Sequence, residues 1–390
     1  MSSQAVSQVS FPGLQVTLDP PRLLARKKDY FWRPRLAMLG ESQIAALVNT
    51  HADEFKTTNR ADLLRSGDGG QTWSHPWPFA PSGWVIGPAP QEREVFVLPY
   101  NSTYFADSSH RALASSRVVI SRQMVTTEMG AVRVTLPRQV ATTNAYLRPQ
   151  NRPLARFVQP VMFFWGHPVT LKDGGLVTGM FGAWADAPTF RHAITVRSDD
   201  GGCTWRYLGT VAAPAQFDCS QGGCAEPALA LLADGTLLCI FRINGAQPVP
   251  DPSYGRAVST DGGQTWSTPQ LLAPAVGRVD PQLLRLSNGV LALTGGRPGF
   301  SVWFAIDGAG KNWQEVDLVA HHNGQGQFAP IITDAPSGLG TSSYSGLVEV
   351  APNRVLIAYD RLPAGWRRLD PDTEDWNEVY TVALRVDRTL

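Results

Sequence analysis

The stretch SGDGGQTWS occupies residues 66–74, and near copies begin at Ser198 (SDDGGCTWR) and Ser259 (STDGGQTWS). No other feature restricts the possible folds of this chain as strongly. In each copy Asp can bond nearby backbone N–H groups, and Gly supplies positive φ without steric cost. Flanked by apolar runs, the segment therefore reads as a hairpin turn. The Trp that follows is large enough to fold beneath the turn and cover it. A degenerate fourth copy, AIDGAGKNW, begins at Ala305 with one residue inserted before Trp313. One such turn marks a hairpin; several mark a repeated supersecondary unit.

A second repeat lies upstream of the turns. Its copies are FWRPRLAMLGESQIAALV from Phe31, FFWGHPVTLKDGGLVTGMF from Phe163, CAEPALALLADGTLLCIFR from Cys224, VDPQLLRLSNGVLALTGGR from Val279 and SSYSGLVEVAPNRVLIAYDR from Ser342. Each reads as a short alternating strand, a turn with Asp, Asn or Gly, and an aliphatic strand. The segment from Trp84 fits the same frame with a poorer turn. The units fall near 30–80, 84–150, 160–212, 220–272, 278–320 and 340–386. This spacing predicts an all-β chain: one domain over 1–390, a six-bladed β-propeller of four-stranded antiparallel blades with the Asp-containing turns on one rim. LQVTLD from Leu14 is expected to join the last blade beside VYTVALRV from Val379, closing the ring and removing an exposed edge. The stretch of about 113–153 is longer than a hairpin needs and is expected to hold an inserted loop over one face.

Composition excludes several function classes. The net charge of +1 and the 17% of charged residues argue against a nucleic-acid footprint. No apolar run is long enough to cross a bilayer, so no membrane partner is expected. The N-terminus lacks a basic start followed by an apolar core, which suggests a cytoplasmic location, or secretion if a leader has been removed. The 4 cysteines do not make a disulfide framework, although Cys219 and Cys224 are close enough in sequence either to bridge or to stand as two thiols. No residue spacing suggests a metal site. The Gly-rich DGGLVTG and LTGGRPG lack the following helix that phosphate binding wants, so no cofactor is expected.

The chemistry is sought on the first strand of each unit, which in a propeller lines the central channel. The residue before the repeated proline is Arg33, His167, Glu226 or Asp280, and Tyr344 holds a similar place in the last unit. Second strands end in Arg242, Arg297 and Arg361. Ionisable or phenolic groups at equivalent positions converge on one pocket.

The repeated turns resemble the Asp-box of sialidases and related propellers, over most of the chain. The resemblance implies that the turn Asp and Trp residues are structural. It also implies a Tyr nucleophile, Tyr344, with Glu226 as its base, and a clamp of three arginines on the substrate carboxylate. Arg33, Arg242 and Arg297 fill those places, with Arg35 on the same strand and face as Arg33. The acid is expected in the loop after the second strand of the first unit, where Asp53 is the choice and Glu54 and Asp62 are alternatives. FWRPRL departs from the family's Phe-Arg-Ile-Pro. His167 and Asp280 stand outside its motif and are read as further substrate contacts.

These residue types suit a sugar acid. Planar guanidinium forks match a carboxylate. An anionic nucleophile would be repelled by that carboxylate, whereas a phenol next to a base is not. The expected activity is therefore a sialidase-like exo-glycosidase acting on an acidic carbohydrate. Two alternatives stand beside it: a propeller lyase, in which Arg33 or Arg242 neutralises a uronate and His167 or Tyr344 abstracts the adjacent proton, and a carbohydrate-binding propeller without turnover.

Overall fold

The alternating apolar pattern becomes strand almost throughout, and the computed structural model is all-β. It describes residues 6–53, 60–79, 83–88, 93–99, 103–143, 159–217, 219–246, 253–272, 279–333 and 340–389. Among these, helix is confined to one 3-10 turn at Pro214–Gln216 and to Leu318–Gly324, where the Asp317 carboxylate caps the first turn by accepting from the Ala320 N–H at 2.9 Å.

Most of the described strands fall into six antiparallel runs. The first comprises Trp32–Met38, Ile44–Asn49, Ala61–Ser66 and Trp77–Phe79. The second comprises Gly83–Pro88, Glu94–Pro99, Ala112–Ser121 and Val125–Thr135. Met162–Thr170, Leu176–Ala183, Phe190–Ser198 and Thr204–Ala212 make the third. Cys219–Leu231, Leu237–Ala246, Ser253–Ser259 and Gln270–Leu271 make the fourth. The fifth holds Val279–Arg285, Leu291–Gly296, Phe300–Ala305 and Gln314–Asp317. The sixth is Gly346–Ala351, Arg354–Arg361 and Asn377–Arg388, with Leu14–Leu18 paired along the C-terminal strand.

The sheets are less uniform than the repeat suggests. Short parallel bridges, Arg133–Thr135 to Thr204–Arg206 and Phe190–Arg191 to Gly222–Gly223, join the second, third and fourth runs into one 13-stranded sheet. The last sheet has 6 strands, because Ser7–Phe11 adds outside Leu14–Leu18 and Arg22–Lys27 pairs with the start of Asn377–Arg388. Of the region 113–153, residues up to Thr135 form a hairpin whose register shifts between Ser115 and Arg117, and Thr142–Thr143 pairs with Gln159–Pro160; residues 144–158, on which the expected inserted loop falls, lie outside the described residues. None of the four cysteines forms a disulfide, so Cys219 and Cys224 are not bridged.

Burial follows the runs. Leu47 and Leu63 pack with Val97 and Val118; Phe96 and Val134 with Phe164 and Trp205; Val177 with Leu237 and Phe241. Ile240 packs with Leu293 and Trp303; Val302 with Ile357 and Val382; Leu356 and Val379 with Ile44 and Val48. Each cluster is thus shared by two consecutive runs, and the sixth run packs against the first.

The repeated turn helps seal these joints. Asp68 accepts from the N–H groups of Gln71 and Thr72 at 3.0 and 2.9 Å and from the Thr72 hydroxyl at 2.6 Å. Asp200 and Asp261 repeat the pattern. The indole N–H groups of Trp205, Trp266 and Trp313 donate back to the carbonyls of Gly202, Gly263 and Gly310 at 2.9, 3.1 and 3.2 Å. The second Gly of the turn rests on the preceding run: a Cβ at Gly70 would sit 2.5 Å from Leu356, and one at Gly202 would sit 2.9 Å from Phe96. Side-chain bulk at these positions would force two runs apart.

Leu14, Val16 and Leu18 are fully buried between the fifth and sixth runs. Deleting residues up to Pro20 removes three core side chains, each worth about 1.5–3 kcal/mol. Thermal unfolding of the truncated chain is expected to fall by about 5 °C or more; an unchanged melting temperature would mean that this strand does not hold the last sheet.

Candidate active site

Proline cannot donate to a strand ladder, so a proline inside the first strand of a run forces a bulge. The pairing slips at Trp32/Pro34, Ala225/Ala228 and Val279/Gln282. The residue before each proline takes a left-handed conformation, with φ of 54° at Arg33, 52° at Glu226 and 45° at Asp280. Ser343, just before Tyr344, has φ 63°. A non-glycine residue there costs about 1–3 kcal/mol and persists only where its surroundings hold it. Here the surroundings are each other.

Glu226 is the hub. Its Oε1 accepts from the Tyr344 hydroxyl and from Arg242 Nη1, both at 3.2 Å, and its Oε2 accepts from the Asp280 backbone N–H at 2.7 Å. Burial opposes ionisation of this carboxyl, but Arg242, the Asp280 N–H, Arg33 and Arg297 outweigh it and hold Glu226 below its ordinary value. Tyr344 stays a neutral phenol: burial and then Glu226 push it well above the usual tyrosine range, against the pull of Arg297, Arg242 and Arg33. Asn244 orients Arg242 by accepting from its Nε at 2.7 Å. Arg297 donates to the Ser342 carbonyl at 2.9 Å and lies over the rings of Trp366 and Tyr344, 4.8 and 5.6 Å from their centres.

Asp280 and Arg33 lie beneath this layer. Asp280 is fully buried and accepts both Arg35 Nη2 contacts at 2.8 Å, together with Trp165 Nε1 at 3.1 Å and Gln282 Nε2 at 3.2 Å. Arg33 Nη2 stands 3.6 Å from the same carboxylate. The Arg33 guanidinium is 1% exposed and sandwiched between rings, 4.2 Å from Trp165 and 4.4 Å from Tyr344. Burial lowers it to about 10 despite Asp280. Its backbone N–H donates to buried Asp360 at 2.8 Å, and Asp360 also accepts from the Ser342 N–H at 2.7 Å and the Thr341 hydroxyl at 2.9 Å. Asp360 thus ties the strand carrying Arg33 to the turn carrying Tyr344. The sequence carries no local signal for Asp360, whereas its neighbour Arg361, at the expected strand end, points elsewhere and bonds to the Pro330 carbonyl and Glu378. Strand alternation allows only one of the two to face the pocket.

The acid candidates separate. Asp53 presents its surface to solvent, yet it lies in a recess where desolvation raises its pKa above the usual carboxylate value, while Arg33, Arg297 and Arg242 pull it down and Glu226 pushes it up. Asp53 therefore faces the same group of charges as Tyr344. Asp62 instead is buried against Lys27. Glu54 lies outside the described residues. His167 also departs from the expected convergence. In its run the positive φ falls on Gly166, at 78°, and His167, one residue on, donates Nδ1–H to the Ile86 carbonyl at 2.9 Å. Burial lowers it to about 4, so the imidazole is neutral at physiological pH.

Tyrosine, glutamate and arginine side chains from four runs therefore meet at one end of the first strands. A family model described as a BNR repeat-like domain matches residues 142–352, more than half of the chain. The chain belongs to the BNR repeat-like family. Among solved structures, a Dyadobacter fermentans protein of unknown function aligns with TM-score 0.66 and 15% identity, over 97% of this chain and 100% of its own. Trypanosoma rangeli sialidase in complex with the inhibitor DANA aligns with TM-score 0.54 and 14% identity over 97% of this chain, and a Hadza microbial sialidase with 0.59 and 14% over 90%. At such identity the likeness is one of fold. This BNR chain spans 59% and 65% of those two sialidases. No curated protein matches its sequence. Among the described residues no cluster of His, Cys, Asp and Glu could hold a metal ion, and no helix is long and apolar enough to cross a membrane.

Replacing Asp280 with Ala would leave Arg33 and Arg35 buried without their shared carboxylate. Breaking a buried ion pair in this way costs about 3–5 kcal/mol. Urea unfolding of Asp280→Ala is expected to give a loss of that size; a loss below about 1 kcal/mol would mean that the carboxylate does not hold these cations.

Proposed function

We propose that this chain is a six-bladed propeller and a sialidase-like exo-glycosidase, acting on a sugar that carries a carboxylate at its anomeric carbon. The observation that carries the reading is the Tyr344 hydroxyl on Glu226 Oε1 at 3.2 Å, with Arg242 on the same oxygen. The packing of the sixth run on the first supports the ring. Arg242 and Arg297 present planar forks to the substrate carboxylate. Glu226, held ionised, accepts the phenolic proton as the Tyr344 oxygen bonds to the anomeric carbon. The glycosidic C–O bond breaks with its electron pair on the leaving oxygen, and Asp53 protonates that oxygen. Water then releases the sugar from Tyr344, with Asp53 as base and Glu226 returning the proton to the phenol. The neutral phenol avoids charge repulsion with the substrate. The lyase alternative draws no support from His167, which burial lowers to about 4 and so makes a weak base for abstracting a proton.

Tyr344→Phe keeps the ring and removes the nucleophile, so hydrolysis of an aryl sialoside is expected to fall at least about 1000-fold. Glu226→Gln should lose nearly as much, and the double variant little more, since the two act as a unit. Arg297→Lys should raise KM with a smaller effect on kcat, because a point charge cannot reproduce the fork. Undiminished turnover by Tyr344→Phe would end this mechanism.

The two carboxyls also fix the pH profile. Glu226 must be ionised and sits below its ordinary value, so activity falls as pH drops through that lowered pKa. Asp53 must be protonated and sits above 3.8, so activity falls as pH rises through the raised value. Asp53→Asn should abolish the alkaline limb and should harm substrates with poor leaving groups far more than activated aryl glycosides. An alkaline limb that survives in Asp53→Asn would assign the acid elsewhere.

A further inference from the structure

Asp53 stands on the connection between the second and third strands of the first run, and one directed bond fastens that connection to the first strand. Trp32 Nε1–H donates to the His51 carbonyl at 2.7 Å, two residues before Asp53. Trp32 is buried, and a buried N–H needs its acceptor, so the ring's orientation and the backbone path at His51 fix each other. The ring itself is held by what surrounds the nucleophile. It meets Tyr344 edge-on, with ring centres 6.2 Å apart and planes at 81°, and its centre lies 5.8 Å from that of Trp366. Its backbone is set by the pairing of Trp32–Met38 with Ile44–Asn49. That strand pairing continues to Thr50, whose N–H donates to the Arg60 carbonyl at 3.0 Å. The Trp32 bond carries the constraint on to His51. One side chain thus spans the residue that attacks and the segment that bears the acid.

We propose that Trp32 is a positioning residue for the acid: its indole N–H, bonded to the His51 carbonyl, holds Asp53 over the pocket at a set distance from Tyr344. This deepens the glycosidase reading and rests on it for the role of Asp53. The physical reason is that proton transfer to a leaving oxygen tolerates little displacement, and an error of about 1 Å costs about 100-fold in rate. The charged groups around Asp53 are Arg33 of the first run, Glu226 and Arg242 of the fourth and Arg297 of the fifth, with His51 on its own segment. Burial is the strongest influence on the Asp53 carboxyl and raises it, so a segment released into water would titrate lower.

Two readouts test this. Trp32→Phe keeps an aromatic ring and loses the N–H. On alkyl sialosides, whose leaving oxygen needs a proton, its kcat should fall about 30-fold or more; on a 4-nitrophenyl sialoside, whose leaving group departs unaided, it should fall about twofold. Added to Asp53→Asn, the same change should cost at most about twofold further on the alkyl substrate, because the two residues act as a unit. No loss, equal losses on both substrates, or a full further loss in the Asp53→Asn background would overturn the proposal. The second readout needs no substrate. Carbon-13 NMR of the aspartate carboxyls, with the Asp53 signal identified by its absence in Asp53→Asn, follows titration of that group. Trp32→Phe should lower its midpoint toward the ordinary 3.8. An unchanged or raised midpoint would overturn the proposal. If Trp32→Phe does not fold, replacement of Trp32 by 3-benzothienylalanine carries both tests, since it keeps the shape of the indole and exchanges only the N–H for sulfur. A lowered midpoint in a protein that hydrolyses no acidic glycoside would uphold the role of Trp32 and refute the glycosidase reading.

Discussion

A left-handed residue in front of a proline is the constraint on which the pocket depends. Regular strands would send Arg33, Glu226 and Asp280 to alternate faces of their sheets. The bulge breaks that alternation and turns each side chain toward a common point. The conformation is unfavourable for Arg, Glu and Asp, and it is held by contacts between runs: Asp360 on the Arg33 N–H, and Glu226 on the Asp280 N–H. The strain at one strand is therefore relieved by the side chain of another. Pocket and packing are one arrangement, since loss of any of these carboxylates loosens both.

Burial of so much charge is tolerable because it is layered. The lower layer, Asp280 with Arg35 and Arg33, is sealed from solvent. The upper layer, Glu226 with Arg242 and Tyr344, opens toward Asp53 and Arg297. Desolvation disfavours the charged form of carboxyl and phenol alike. It keeps Tyr344 neutral at rest, and the converging guanidinium groups keep Glu226 ready to take the proton. A weaker field would leave the base protonated.

Much of this was legible in the sequence, for definite reasons. The Asp-Gly-Gly turns name their own geometry, and the spacing between them sets the strand rhythm. The positions of Glu226 and Asp280 follow from the proline beside each. What could not be read was partnership across long separations. Asp360 meets Arg33 from 327 residues away, and Trp165 meets Asp280 from 115. Neither pairing leaves a local trace. His167 illustrates a different limit. Its proline is present, but the glycine before it takes the left-handed place more cheaply, which displaces the histidine by one residue toward Ile86. The parallel bridges that fuse the three middle sheets rest on backbone pairing, which no side-chain pattern announces.

The pairing of Leu14–Leu18 with Asn377–Arg388 has a consequence for biosynthesis. Leu14–Leu18 leaves the ribosome long before the strand it pairs with. Until that strand is made, Leu14, Val16 and Leu18 have nowhere to be buried, and the fifth run shows an open flank where the sixth should lie. Such a chain waits with an adhesive strand at its head, which makes it vulnerable to mispairing with a neighbouring nascent chain. A ribosome that stalls before Arg354–Arg361 would release a product lacking both that strand and Asp360, hence without the carboxylate that holds the Arg33 N–H. Completion of the last sheet and assembly of the pocket are the same event.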